Sequence, residues 1–213
     1  MKTVIIVGMG PGMAMGLAEK FGKEGFRIGM ISRTESKLQT YVEQLRQKRI
    51  LSDYSVADAS DTAQLIKAID ALKKRLGRVD VLQYNAVDAR YVNIMDEDVD
   101  DLVKGFRISV GNAFAATMEL LPELKQRKGA VLFTGGGTAT NPNPDFASIS
   151  LGKAGIRNLA YQLNRTLKEQ GVFVGTVTVG GWIHHESETH SPEILAQKFW
   201  ELYQRRDQVE LVY

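Results

Sequence analysis

Apolar residues along this chain switch between two periods. Short runs bounded by polar and glycine-rich punctuation read as strands at Thr3–Val7, Arg27–Ile31, Leu51–Val56, Val79–Gln83, Ala130–Thr134, Val172–Val179 and Gln208–Val212. Between them, apolar positions recur every three or four residues. That spacing predicts helices over Gly12–Glu24, Glu35–Lys48, Thr62–Leu76, Asp98–Arg127, Phe146–Gln170 and Pro192–Arg206. Strictly alternating strands and helices, with interior strands apolar throughout, predict an α/β fold: a doubly wound parallel sheet of about seven strands in three layers. No break in composition marks a second domain, so residues 1–213 are expected to form one. In such a sheet the ligand lies beyond the carboxyl ends of the strands. The segments of interest therefore follow Val7, Ile31, Val56, Gln83, Thr134 and Val179.

The first of these carries the strongest chemical signal. The run Thr3–Val7 stops at Gly8-Met-Gly-Pro-Gly12, and helical spacing begins at Met13. A strand, a glycine turn and a helix start in that order suit a phosphate group. Missing Cβ atoms let the anion approach the backbone, and the helix start offers free N–H groups and a positive dipole end. Gly8, Gly10, Gly12 and Met13 are the expected contacts. The spacing is G-x-x-x-G-x-A, ending at Ala14, because the third glycine of a strict G-x-G-x-x-G would fall on Met13. At the end of the second strand no acidic residue is present to hold ribose hydroxyls; Ser32 and Arg33 stand there instead. A guanidinium suits a 2′-phosphate, at about 1.5–3 kcal/mol for a charge-assisted contact, which favours NADP(H) over NAD(H). A solvated arginine opening the next helix is the plain alternative.

Composition narrows the field by exclusion. The 213 residues carry a formal charge of +2 with acids and bases interspersed, so no basic stripe offers itself to nucleic acid and no face to a membrane. The absence of cysteine removes disulfides, thiolate catalysis and cysteine-ligated metal. The apolar run after Met1-Lys2 is too short for a signal peptide or a membrane span. A soluble cytoplasmic protein is the expectation.

Further residues then fall into a known order. Gly8-x-x-x-Gly12-x-Ala14, Ser32-Arg33, Asp58 after the third strand, Tyr84-Asn85-Ala86-Val87 after the fourth, Lys153, and Gly180-Gly181-Trp182-Ile183 after the sixth succeed one another along nearly the whole chain. In this the chain resembles the short-chain dehydrogenase/reductase family, whose fold is a single Rossmann-type domain. The resemblance implies that Asp58 meets the adenine edge and that Asn85 and Ala86 line the adenosine ribose. It implies that Lys153 grips the nicotinamide ribose, with Gly181 and the Ile183 backbone at the carboxamide. Val87 stands where the family usually has glycine. It also implies a homodimer or homotetramer built on the two long helices, with Ala115, Ala116, Ala154, Gly155, Leu159 and Leu163 as a possible surface; packing of these residues on the sheet accounts for them equally well.

The positions that resemblance assigns to chemistry are different. Family enzymes use a serine, a tyrosine and a lysine, with an asparagine from the central helix. Four residues before Lys153 stands Ile149; the serine position falls on Gly136; the asparagine position falls on Ser109, with Asn112 close enough to compete. An isoleucine cannot donate a proton and Gly136 has no hydroxyl. A general acid contributes about 10²–10⁴-fold in rate, whereas holding donor and acceptor together supplies about 7–11 kcal/mol independently. A chain with the cofactor site and without the acid can therefore still move hydride, for instance to an activated alkene or an iminium.

Substitute groups are sought in the short loop 183–192, which with the residues before it holds all three histidines. His184 and His185 follow the expected carboxamide contact, and histidine is a residue type suited to proton transfer. The catalytic candidates are thus Lys153, His184, His185 and Ser109; a solvated polar loop is the plain reading of the histidines. No metal site is expected. Tyr84 is a second phenol with a packing role as its alternative, and Ser150, one turn before Lys153, superficially makes a Ser–Lys pair. Met9, Met13, Met15 and Met30 read as core filler. The expected function is an atypical NADP(H)-dependent oxidoreductase acting on an unidentified small molecule. The competing reading is a catalytically silent NADP(H)-binding sensor or assembly protein, and a lyase or isomerase using the cofactor only as structure is a third.

Overall fold

A computed structural model describes all 213 residues. The seven strands form one parallel sheet: β1 (Lys2–Val7), β2 (Phe26–Ser32), β3 (Ser52–Val56), β4 (Val81–Tyr84), β5 (Ala130–Thr134), β6 (Phe173–Thr178) and β7 (Glu210–Val212). Their order is β3-β2-β1-β4-β5-β6-β7, so the winding reverses between β1 and β4. The carboxyl ends of these two strands flank the crevice in which open sheets of this type take ligands.

Alternation along β1 shows how the sheet is buried on both faces. Val4 and Ile6 join one core with residues of α1 (Met13–Lys23), α2 (Glu35–Gln47) and α7 (Pro192–Arg205). Ile5 and Val7 point the other way, into a second core with α3 (Thr62–Leu76), α5 (Asn112–Arg127) and α6 (Ala147–Leu167). All four side chains are fully buried, which explains a run with no polar position. The four methionines Met9, Met13, Met15 and Met30 lie in the first core. Gly16 lets α1 meet α7 closely, since a Cβ there would stand 2.6 Å from the Pro192 carbonyl oxygen.

Every predicted strand and helix is present, with ends shifted by a residue or two at most places. Tyr84 belongs to β4 itself, and β7 starts only at Glu210. One expectation needs correcting: Asp98–Arg127 is not a single α-helix. It divides into α4 (Val99–Phe106), a π-helical turn over Arg107–Gly111, and α5. Periodicity alone cannot register one extra residue per turn, and the extra residue turns Ser109 into the interior, 4 % exposed. The expected surface on the long helices also changes. Ala116 and Leu163 are buried in the second core, and Gly155 packs under Phe106 and Val110. Val99, Val103, Phe106, Phe114 and Leu151 are the exposed apolar residues there. No helix is long and apolar enough to cross a membrane.

Candidate functional site

Gly8 closes β1 with φ +86°, and a Cβ on it would lie 2.5 Å from the Ala86 nitrogen. The turn therefore sits directly against the segment after β4. Asn85 fastens the two by donating its side-chain N–H to the Gly8 carbonyl at 3.1 Å, while the Gly8 and Met9 N–H groups share the Ile31 carbonyl. Gly10 and Gly12 differ from Gly8: a Cβ at either would meet nothing within 4 Å, which leaves a cradle open to an approaching group. Gly12 is the N-cap of α1 and offers no side chain to the helix, whose first turn has no acidic residue and whose last turn carries Lys20 and Lys23. In that first turn the Met15 N–H donates to the Gly12 carbonyl at 3.0 Å, while the Met13 and Ala14 N–H groups have no carbonyl one turn back. The Met13 side chain is in the core, so only its backbone is available to a ligand.

Arg33 follows β2, exposed, with no hydrogen bond or ion pair to any other residue. Asp58 lies close enough to feel its charge. The Ser60 N–H, donated at 2.8 Å, is the main cause that holds the Asp58 carboxyl below its usual range, with Arg33 and Lys104 adding to it. Asp58 thus caps its own turn, as its plainer reading requires, and still stands beside the free guanidinium. Ser32 and Ala86 are half-buried on either side of the crevice.

Lys153 rises from the second turn of α6 and donates to the Thr134 carbonyl at 2.7 Å; burial pulls its ammonium down to about 8. Gly136 lies against its stem, a Cβ there standing 3.3 Å from Lys153 Cγ. A cavity of about 10 Å³, room for one water at most, is lined by Tyr84, Ala86, Val87, Ser109, Thr134 and Lys153 among others. Ser109 therefore does come to Lys153. Asn112 does not: it accepts from the Thr62 hydroxyl and donates to the Ala59 carbonyl, both at 2.7 Å, and so ties α5 to the α3 side. Of the two, Ser109 is the one that lines the cavity beside Lys153.

Two other candidates are used structurally. Tyr84 is 2 % exposed and donates its hydroxyl to the Ile108 carbonyl at 2.6 Å; burial pushes the phenol well above its ordinary range, so it is held neutral. Ser150 exchanges hydrogen bonds of 3.2 Å with the Asn143 backbone rather than with Lys153, so no Ser–Lys pair forms. His184 and His185 are exposed, and no side chain bonds them. His190 packs under Gly181 and beside Tyr213, with ring centroids 5.5 Å apart.

Three aromatic residues at the mouth have no role assigned from the sequence, although Trp182 stands in the Gly180–Ile183 motif. Tyr91, Phe146 and Trp182, from the loops after β4, β5 and β6, meet edge to face: Tyr91–Phe146 at 5.1 Å and Phe146–Trp182 at 6.2 Å between centroids. Isolated aromatics in irregular segments carry no periodic signal. Only their common place beyond the carboxyl ends of neighbouring strands pointed to them.

The reversal of strand order beside a glycine crossing, with a lysine from α6 behind β5, defines the Rossmann-type class. A short chain dehydrogenase profile matches residues 2–187, and the chain belongs to that family. Family members are oxidoreductase-like and use NAD(P)(H). A short chain dehydrogenase of Pseudocercospora fijiensis is 28% identical over 195 residues, covering 90% of this chain and 62% of that protein. The very-long-chain 3-oxoacyl-CoA reductase of Neurospora crassa is 28% identical over 186 residues, covering 81% of this chain and 54% of the relative. The chain thus spans less than two thirds of the length of these relatives. An alcohol dehydrogenase from the archaeon Thermococcus sibiricus, solved with 5-hydroxy-NADP, superposes with a TM-score of 0.87 at 16% identity, over 100% of this chain and 95% of that one. That likeness is one of fold.

Proposed function

We propose that this chain binds NADP(H) and is an atypical short-chain oxidoreductase, one that works without the usual tyrosine and serine. The observation that carries the reading is the combination of the open Gly10–Gly12 cradle at the α1 start with the unpaired Arg33 beyond β2. Gly8, Gly10, Gly12 and the Met13 backbone would hold the pyrophosphate, and Ser32 and Arg33 the 2′-phosphate. Asp58, Asn85 and Ala86 would line the adenosine, with Lys153, Gly181 and Ile183 at the nicotinamide end. The bound cofactor supplies or accepts a hydride. Lys153, turned inward and bonded to Thr134, orients the ribose and keeps a proton at its ammonium near neutral pH. At the positions where the family resemblance puts the phenol and the serine hydroxyl, this chain has Ile149 and Gly136. Substrates whose reduction needs little acid help are therefore favoured, with His184, His185 or water completing any proton transfer.

Calorimetric titration with NADPH and NADH at one salt concentration tests the reading. Arg33→Ala should weaken NADPH by about ten- to a hundredfold and leave NADH nearly unchanged. Equal weakening of both, or no binding of either to the parent protein, overturns the assignment. Ile149 and Gly136 also favour a second reading, a silent NADP(H)-binding sensor. Binding without turnover of any carbonyl, alkene or iminium panel would select it.

A further inference from the structure

Beyond the carboxyl ends of β4, β5 and β6, three separate loops build one surface together. Tyr91 is 65% exposed and Trp182 72%, with half-buried Phe146 between them. Large rings held in water are costly, and a contiguous exposed apolar patch beside a ligand crevice marks a binding surface. Ile94, Met95 and Ile183, close to these rings along the chain, are exposed as well. The rings are also pre-positioned. Asn93 donates to the Asp145 carboxylate at 2.7 Å and the Ala147 N–H donates to the Val92 carbonyl at 3.3 Å, pinning the Tyr91 loop to the Phe146 loop. Phe146 leads directly into the α6 turn that bears Ile149, so the wall begins where the substrate of the proposed reaction would enter.

Charge narrows the occupant. Arg90 is the sole lysine or arginine in segments 85–98, 135–146 and 179–191, and Asp88 at 2.8 Å and Glu97 at 3.0 Å already neutralise it. Asp145, Glu186 and Glu188 lie in the same segments. No free lysine or arginine there compensates a carboxylate or a phosphate; the remaining basic side chains are the imidazoles of His184, His185 and His190, and ring faces beside carboxylates attract cations and conjugated planes.

We infer that Tyr91, Phe146 and Trp182 form a recognition wall for a planar, conjugated ring system that is neutral or cationic, and that anionic ligands are rejected. That this ligand is the substrate rests on the hydride-transfer reading; that the wall binds it does not.

Three bicyclic probes of matched size test the wall by calorimetry and tryptophan emission near neutral pH: N-methylquinolinium, quinoline and 2-naphthoate. Trp200, 8 % exposed, serves as the unperturbed second fluorophore. The first two should bind and quench Trp182, about tenfold or more tightly than 2-naphthoate. Tyr91→Ala and Trp182→Leu, checked for unchanged melting, should each weaken binding about tenfold by calorimetry. Equal affinity for 2-naphthoate, no binding of the first two, or parent-like affinity in both variants overturns the proposal. The titrations are repeated with NADP⁺ present, which separates two failures. Probe binding in a protein that takes no NADPH sinks the hydride reading and leaves the wall standing. NADPH binding without probe binding does the reverse.

Discussion

Gly8 and Gly10 sit two residues apart in one turn and serve different ends. Gly8 needs its positive φ, and a side chain there collides with the backbone of Ala86. Gly8→Ala should therefore cost about 1–3 kcal/mol of stability, read as a lower urea midpoint, and cofactor affinity should fall with it. Gly10→Ala meets open space and should leave the midpoint unchanged while weakening NADPH, because the methyl group fills the cradle. The site around Lys153 invites the opposite experiment. Restoring both groups in Gly136→Ser/Ile149→Tyr should raise reduction of simple carbonyls by about 10²–10⁴-fold over the parent, measured as NADPH consumption. No gain would count against the proposal that Ile149 and Gly136 are what separates this chain from ordinary carbonyl reduction. At this scale the sequence offers candidates where a residue type is itself the proposed chemistry, as at Arg33, Ile149 and Gly136. It was silent where chemistry depends on direction: Ser150 and Tyr84 bear hydroxyls, but their partners are the Asn143 and Ile108 backbones.

At the scale of elements, two connections decide how the carboxyl ends of the strands are held. The π-helical turn over Arg107–Gly111 brings Ser109 to the cavity beside Lys153, while Asn112 faces α3. On the far side, short β7 is secured to α6 and β6 by one carboxylate. Glu210 accepts from Arg157 Nε at 2.9 Å, from the Tyr161 hydroxyl at 3.0 Å and from the Thr178 hydroxyl at 2.6 Å. The Arg157 hydrogen bond is the largest cause holding this carboxyl below its usual range, with Thr178 and Tyr161 adding to it. A folded-state pKa lower than the unfolded one means that the tie contributes fully above the unfolded value of about 4.3 and is lost as pH falls through the folded value. Parent protein should melt higher than Glu210→Gln near neutrality, and the gap should narrow below the unfolded value and close as pH falls through the lowered folded one. A gap that persists in acid would show that Glu210 acts through shape rather than charge.

For the whole molecule, the apolar face left by α4, α5 and α6 is the feature the single chain does not complete. Val99 is 74% exposed, Val103 53%, Phe106 46%, Phe114 47% and Leu151 44%. We propose a second copy of this chain as its cover, since a two-fold axis lets one such face bury itself against its twin. Sedimentation should give a dimer or larger, and Phe106→Glu should shift it toward monomer by placing a charge in the interface. A monomeric parent protein at micromolar concentration would refute this.

The sequence by itself determined the element order, the parallel sheet and the glycine crossing. Burial on both faces writes itself into continuous apolar strands, and a turn with positive φ packed against the Ala86 backbone demands glycine at Gly8. It also carried the family resemblance that the profile match bears out over residues 2–187. The tertiary structure decided the rest. It set the π-turn, the choice of Ser109 over Asn112, the buried partners of Tyr84 and Ser150, and the aromatic wall from three loops. Each of these depends on which way a side chain points or on residues some 35 to 55 positions apart coming together, and neither leaves a periodic trace in the chain.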